Sequence, residues 1–264
     1  MTKWVFIFLS AFALHGFSMP RSCPSAPGGG KIGVVLMHCK DGEPDRFIDG
    51  VASALTRHGY LVIAPEMPWS HNRRYDMSFD DAVAGIDRYV GELRARGARR
   101  IVIAGHSLGA NAALRYGTLR DNLAGIAMLG PGQSPEWTLG KMVAGSVAKA
   151  RALVASGRGD EVATFDDSNQ GARIQVHVTP KIYMNYFDPN GPTVMSKNAA
   201  HLRPGTPLLF VVGTRDRFYD YYTKAYAIDR APSNPMNRFL VVNADHHGTP
   251  SRSINEFLDW LQCL

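Results

Sequence analysis

The chain of 264 residues contains few cysteines, and their positions show no metal-binding spacing. Cys23, Cys39 and Cys263 are too few for a disulfide scaffold, and they form neither a CxxC pair nor a cluster with histidines. We therefore expect no metal site. An oxidising compartment would allow one disulfide among the three, and the sequence does not indicate which pair forms it.

The sequence also lacks a basic run that would indicate a nucleic-acid partner, although its formal net charge is +6. The densest basic run contains Arg94, Arg96, Arg99 and Arg100, and it lies where a predicted helix ends and a strand begins. Cations in the last turn of a helix complement the helix dipole and need no ligand. We therefore expect no nucleic-acid partner.

No apolar run is long enough for a transmembrane helix, which needs about 20 residues. The run from Trp4 to Leu14 follows Lys3 and precedes a Pro/Gly/Ser-rich stretch, which is the layout of a secretory signal peptide. We expect residues 1–22 to be a signal peptide or N-terminal extension, and the protein to be secreted or periplasmic. No stable membrane span is expected after removal of the signal. An uncleaved anchor or a disordered extension is the alternative.

Short apolar runs recur along the rest of the chain and alternate with helix-like segments, at residues 46–58 and 79–96 for example. The runs are Ile32–His38, Leu61–Ala64, Ile101–Gly105, Gly125–Leu129, Leu208–Val212 and Phe239–Val242. This alternation predicts an α/β domain over residues 31–264, with a mostly parallel central sheet and helices on both faces. Ligands of such sheets bind beyond the carboxyl ends of the strands.

One stretch, at about residues 132–207, interrupts the alternation. It shows no strong strand, but it contains a helix-like segment at Lys141–Val154 and an aromatic run near Tyr183. Long connections in compact domains tend to be functional, so we expect a helical or irregular insertion that acts as a lid. A peripheral packing element is the alternative.

The strongest motif is G-x-S-x-G, formed by Gly105, His106, Ser107, Leu108 and Gly109. It follows a predicted strand and precedes a predicted helix, which is the context that a nucleophile elbow requires. Glycines on either side of the serine let the chain pack closely at a strained turn. We therefore predict that Ser107 is a nucleophile exposed at the top of the sheet.

A serine nucleophile needs a base, and the base needs an acid that orients it. In this type of site the chain order is Ser, acid, His, and Asp216 and His246 follow the last two predicted strands in that order. Glu136, after the fourth strand, is the rival acid. His247 is the rival base, but His246 has the usual loop spacing.

Four segments together resemble the α/β-hydrolase family, in particular its serine esterases and lipases. They are VVLMHCKDG, AGHSLG, VVGTRD and VVNADHH, and the resemblance covers roughly Ile32 to Leu264 apart from the insertion. An oxyanion hole takes one backbone N–H from the residue after the nucleophile, here Leu108, and one from the loop after the first strand. The resemblance implies Lys40 as that second donor, with Cys39 where glycine is usual.

These features predict a serine hydrolase that cleaves a small-molecule ester or acyl substrate through an acyl-enzyme, with no cofactor. Acyl transfer, or cleavage of a thioester or amide, uses the same three side chains and remains an alternative. A non-catalytic binding protein on this fold is a second alternative. A missing triad member would favour it, and none is missing.

Overall fold

The computed structural model describes residues 30–264, so the predicted signal peptide at residues 1–22 lies outside the described residues. Within them, the chain forms eight strands and nine α-helices. The strands are β1 (Ile32–Met37), β2 (Leu61–Ile63), β3 (Arg100–Ser107), β4 (Gly125–Pro131), β5 (Ala163–Asn169), β6 (Ala172–Val178), β7 (Leu208–Gly213) and β8 (Arg238–Val242). The helices are α1 (Asp49–Arg57), α2 (Phe79–Ala84), α3 (Ile86–Ala95), α4 (Leu108–Leu119), α5 (Thr138–Ala155), α6 (Pro180–Phe187), α7 (Met195–Ala200), α8 (Thr249–Arg252) and α9 (Ile254–Gln262).

Six of the strands form a central sheet in the order β2-β1-β3-β4-β7-β8. All five strand pairs in it are parallel. Each corresponds to one of the predicted apolar runs, with ends that differ by one or two residues. The predicted parallel α/β architecture is therefore confirmed.

Helices cover both faces of the sheet, because successive side chains of a strand point to opposite sides. In β1, Val34 and Leu36 pack into the core beneath α1 and α9, whereas Val35 and Met37 pack into the core on the side of α3 and α4. All four side chains are fully buried. Burial on both faces explains why β1 is a continuous apolar run.

The predicted helix at residues 79–96 is two helices, α2 and α3, which meet at Gly85. The N–H of Gly85 still bonds to the carbonyl of Asp81 at 2.9 Å, but the next turn uses the tighter bond from the Arg88 N–H to the Gly85 carbonyl. The apolar stripe continues through both helices, since Val83, Ile86 and Val90 are all buried. Periodicity alone does not detect such a break.

The expectation of a helical or irregular insertion at residues 132–207 is incomplete. The insertion contains the predicted helix as α5, but also an antiparallel hairpin of β5 and β6. Gln170 and Gly171 form its turn, both with positive φ (48° and 87°), as two-residue hairpin turns require. The sequence conceals β5 because polar residues fill most of it, including Asp166 and Asp167.

A buried ion pair attaches this hairpin to the loop after β1. The Nζ atom of Lys40 donates to Oδ1 of Asp167 at 2.7 Å and to the carbonyl of Ser168 at 3.0 Å. The other carboxylate oxygen of Asp167 accepts a bond from the Tyr75 hydroxyl at 3.0 Å. The Asp167 side chain is fully buried and that of Lys40 is 8% exposed. The insertion is thus connected to the core by charge as well as by apolar packing.

No helix among residues 30–264 has the length and apolar character needed to cross a bilayer.

Asp167→Ala should lower the free energy of unfolding by about 3–5 kcal/mol, because it leaves the buried Lys40 ammonium unpaired. Asp160→Ala is the matched control. Asp160 also pairs with a lysine of the insertion, Lys181, at 2.7 Å, but that pair is exposed and such pairs contribute about 0–1 kcal/mol. Urea unfolding of both variants measures the difference. Equal losses would show that burial of the Lys40 pair is not what stabilises the hairpin.

Candidate active site

Ser107 lies at a sharp turn between β3 and α4. It is the last residue of β3, and α4 begins at Leu108. Its φ of 54° and ψ of −120° lie in a region that non-glycine residues rarely occupy. The side chain is 8% exposed. The sequence therefore forms the strained elbow that the motif predicts, with the hydroxyl at the carboxyl end of the sheet.

The glycines of the motif are explained by backbone contacts. A β-carbon on Gly105 would lie 2.3 Å from the carbonyl oxygen of Gly109, and one on Gly109 would lie 2.5 Å from the carbonyl oxygen of Met37. Distances below 3.0 Å are not tolerated, and the clashing atoms belong to the backbone. Both positions therefore require glycine for β3, α4 and the end of β1 to approach this closely.

The structure brings the three predicted triad residues together. The hydroxyl of Ser107 lies 3.0 Å from Nε2 of His246, and Nδ1 of His246 lies 2.6 Å from Oδ2 of Asp216. All three side chains are buried. The second oxygen of Asp216 accepts the backbone N–H of Phe218 at 3.0 Å. With its Nδ1–H donated to Asp216, the imidazole presents an unprotonated Nε2 to the serine hydroxyl.

The two rival residues make other contacts. The carboxyl group of Glu136 accepts a short hydrogen bond from the Tyr226 hydroxyl, and burial raises its pKa. The ring of His247 stacks on that of Phe47, with centroids 4.2 Å apart and planes inclined by 4°. The hydrogen bonds to Ser107 and Asp216 belong to His246.

The two predicted oxyanion donors lie on segments that contact each other. The N–H of Leu108 belongs to the first turn of α4, where backbone donors have no partner within the helix. The loop after β1 packs against that turn, since the carbonyls of Met37 and His38 contact Gly109. Lys40 lines the same cavity as Ser107. Its side chain points to the buried carboxylate of Asp167.

A buried histidine fixes the shape of this loop. Nε2 of His38 accepts the Met67 N–H at 2.9 Å, and its Nδ1 donates to the Cys39 carbonyl at 2.8 Å. The indole of Trp69 donates to the His38 carbonyl at 2.9 Å. Burial lowers the pKa of His38, so the ring stays neutral. These contacts together shape the loop after β1.

Cys39, which stands where glycine is usual, is a buried free thiol. Burial raises its pKa to about 11, so it is not a thiolate at neutral pH. Its sulfur packs against Gly42, where a β-carbon would lie only 2.8 Å away. The thiol therefore fills the inside of the loop, and a disulfide of this chain does not involve it.

Sequence reasoning did not assign a role to two residues of the site. His106 is fully buried, and its Nε2–H donates to the carbonyl of His246 at 3.0 Å. This hydrogen bond holds the loop after β8. Gly132 faces the nucleophile, because a β-carbon there would lie 2.3 Å from the Ser107 hydroxyl oxygen. The signal for both was their position: His106 is inside the motif, and Gly132 directly follows a strand end.

The Ser107 hydroxyl opens into a small cavity of about 40 Å³. Its walls come from α5, from the hairpin turn at residues 168–171 and from the loop after β7. The insertion therefore supplies part of the cavity wall at the serine. Among residues 30–264 there is no group of three or more His, Cys, Asp or Glu side chains arranged to hold a metal ion.

Comparison with known proteins identifies the family to which this sequence is similar. A model of the Alpha/beta hydrolase family matches residues 34–259. No curated protein matches the sequence. Similar solved structures include a metagenome-derived lipolytic enzyme (15% identity, 89% of this chain and 94% of that chain, TM-score 0.62). A monoacylglycerol lipase of Paleococcus ferrophilus (20%, 88% and 96%, 0.59) and a thioesterase domain of the curacin biosynthetic pathway (16%, 89% and 92%, 0.52) are also similar. At these identities the likeness shows the fold.

Gly132→Ala should displace the Ser107 hydroxyl while the fold persists, because the φ of Gly132 is not positive. A displacement of about 1 Å costs roughly 100-fold in reactivity. The rate of labelling by a fluorophosphonate probe measures this loss. Gly145→Ala in α5 is the control, since its β-carbon meets no atom within 4 Å. If Gly132→Ala labels at the wild-type rate, Gly132 does not limit space at the nucleophile.

The buried histidines should make the fold sensitive to acid. Burial, and secondarily the nearby His246, lowers the pKa of His106 well below its ordinary value. Below about pH 6.5 the unfolded chain therefore binds a proton that the folded chain does not, and the free energy of unfolding falls as the pH falls. His106→Gln should weaken this dependence between about pH 8 and about pH 5 in urea unfolding. His58→Gln, at an exposed position, should leave it unchanged. Equal pH dependence in wild type and His106→Gln would contradict the assignment.

Proposed function

Because the chain belongs to the alpha/beta hydrolase family, we propose that it is a serine hydrolase that cleaves carboxylic esters. The observation that carries this proposal is the continuous hydrogen-bonded series from Ser107 through His246 to Asp216. A serine hydroxyl is a weak nucleophile at its free pKa, and an adjacent oriented base is what activates it. The three residues have the contacts that this activation requires.

In the first half-reaction, Oγ of Ser107 attacks the acyl carbon of the ester while Nε2 of His246 accepts the hydroxyl proton. The imidazolium that forms is stabilised by the Asp216 carboxylate on Nδ1. The tetrahedral intermediate then collapses, and the bond to the alcohol oxygen breaks. His246 transfers its proton to that oxygen, which releases the alcohol and leaves the acyl group on Ser107.

In the second half-reaction, water attacks the acyl-enzyme carbonyl and gives its proton to His246. Collapse of this second intermediate breaks the bond to Oγ, and His246 returns the proton to Ser107. The carboxylic acid leaves, and the enzyme is restored. No electron transfer occurs and every proton is accounted for within the site.

The charge on the tetrahedral oxygen needs backbone donors. We assign these to the N–H groups of Leu108 and Lys40, on the two segments that pack together at Gly109. Such donors stabilise the transition state more than the ground state, since they face the position where the oxygen becomes charged. The contacts of His38 fix the loop that carries the second donor.

Ester cleavage is chosen over amide cleavage on chemical grounds, because an alcohol leaves more readily than an amine. Acyl transfer and thioester cleavage use the same residues, and one similar structure is a thioesterase domain. A fold alone does not distinguish these reactions. A panel of p-nitrophenyl esters of increasing acyl length, tested beside thioester and anilide analogues, separates them.

His246→Ala should lower kcat by several orders of magnitude, nearly as much as Ser107→Ala, because both remove a member of the triad. His247→Ala is the matched control, since it removes the adjacent ring that stacks on Phe47, and it should change the rate only modestly. Steady-state hydrolysis of p-nitrophenyl esters measures all three variants. Should His247→Ala be the inactive variant, the base is the other histidine.

Labelling separates the proposed function from a non-catalytic role. A fluorophosphonate should modify the wild-type chain at Ser107 and should not modify Ser107→Ala. A wild-type chain that resists the probe, with no ester hydrolysed, would exclude a serine hydrolase.

A further inference from the structure

The cavity above Ser107 is lined by two cationic residues and by no aspartate or glutamate. The cations are Lys40 and Arg217. The remaining polar lining is neutral, from residues such as Gln133, Ser134 and Asn169. A substrate group that enters this cavity therefore meets positive charge and neutral hydrogen-bonding groups.

The two cations differ in how their charges are balanced. The Lys40 ammonium is paired with the buried Asp167 carboxylate at 2.7 Å, so it contributes little net charge to the cavity. Within the described residues, the Arg217 guanidinium has neither an ion pair nor a hydrogen bond. The unbalanced charge at the cavity is therefore that of Arg217.

Packing holds the Arg217 guanidinium in place at the edge of the cavity. Its centre lies 5.4 Å from the centroid of the Phe218 ring. Its Nη1 atom lies 2.7 Å from the position that a β-carbon on Gly171 would occupy, so it rests on the hairpin turn. Arg217 also directly follows Asp216, the residue hydrogen-bonded to His246. The guanidinium of this exposed residue thus lines the same cavity as Ser107 with its donors unused.

We propose that the substrate carries a carboxylate, and that Arg217 binds it. This inference rests on the proposed ester hydrolysis and specifies its substrate class: a short ester with a free acid group a few bonds from the scissile carbonyl. A guanidinium presents paired N–H donors that match the two oxygens of a carboxylate. Ser107 and Arg217 line the same cavity of about 40 Å³, and this small volume limits the length of the substrate.

The test compares esters that differ only in charge. Monomethyl glutarate and methyl glutaramate have the same shape, but the first ends in a carboxylate and the second in a neutral amide. A second pair, 4-acetoxybutanoate and its amide, places the same groups on the alcohol side. Hydrolysis is followed at low ionic strength, because salt screens exposed charges.

The variants are Arg217→Gln and a matched control, Arg215→Gln. Arg215 lies in the same loop and is exposed, but its guanidinium bonds to Asn243 and it does not line the cavity. Both substitutions remove one positive charge from the loop. An effect of Arg217→Gln that Arg215→Gln does not share is therefore local to the cavity.

The wild-type enzyme should hydrolyse the acidic ester of at least one pair with a kcat/KM about 10- to 100-fold above that of its amide. Arg217→Gln should abolish that preference, mainly through KM, and leave the neutral ester unchanged. Arg215→Gln should retain the preference. The inference is overturned by a wild-type enzyme that shows no preference in either pair, or by an Arg217→Gln variant that slows both members equally.

Calorimetric titration of glutarate into the same three proteins needs no turnover. Binding to wild type and Arg215→Gln, with loss in Arg217→Gln, supports the carboxylate site even where Ser107 resists the fluorophosphonate and the proposed hydrolysis fails. Hydrolysis of both neutral esters without charge preference, and without glutarate binding, rejects the inference and leaves the hydrolase assignment intact.

Discussion

The close approach of three backbone segments around Ser107 is the constraint on which the rest of the site depends. The end of β1, the end of β3 and the first turn of α4 meet at Gly105 and Gly109, where a single β-carbon would lie within about 2.5 Å of backbone atoms. Ser107 lies between these two glycines and has a positive φ of 54°. This close approach brings the loop after β1 against the N-terminus of α4, so Ser107 and both proposed oxyanion donors are positioned by one packing contact.

Asp216 and His246 are brought together by the pairing of the last two strands of the sheet. β7 and β8 are parallel neighbours, so the loops that follow them leave the sheet at the same edge. Backbone bonds then join the loops, from the Thr214 N–H to the Val242 carbonyl at 2.8 Å and from the Arg215 N–H to the Ala244 carbonyl at 2.9 Å. The buried His106 also bonds to the His246 carbonyl and so holds the loop after β8. The hydrogen bond between Asp216 and His246 follows from this arrangement of rigid backbone.

The insertion contacts both cationic side chains that line the cavity at Ser107. Its hairpin is fixed to the loop after β1 by the pair of Lys40 and Asp167, and its turn supports the Arg217 guanidinium. One lysine thus has its charge neutralised inside the protein, while one arginine keeps its charge at the cavity edge. The hairpin of β5 and β6 contacts both side chains, through Asp167 and Gly171. This connects the stability of the insertion to the proposed recognition of substrate.

The sequence alone determined the local features: the six apolar strands of the sheet, the elbow at Ser107, and the placement of an aspartate and a histidine after the last two strands. These are readable because burial on both faces requires apolar runs and a tight turn requires glycine. Tertiary structure decided what depends on distant contacts. Ser107 and His246 are 139 residues apart, and only the fold shows that Asp216, and not Glu136, bonds to that histidine. It also revealed β5, whose buried Asp167 is polar because its partner is the charged Lys40, and no periodicity in the sequence records that pairing.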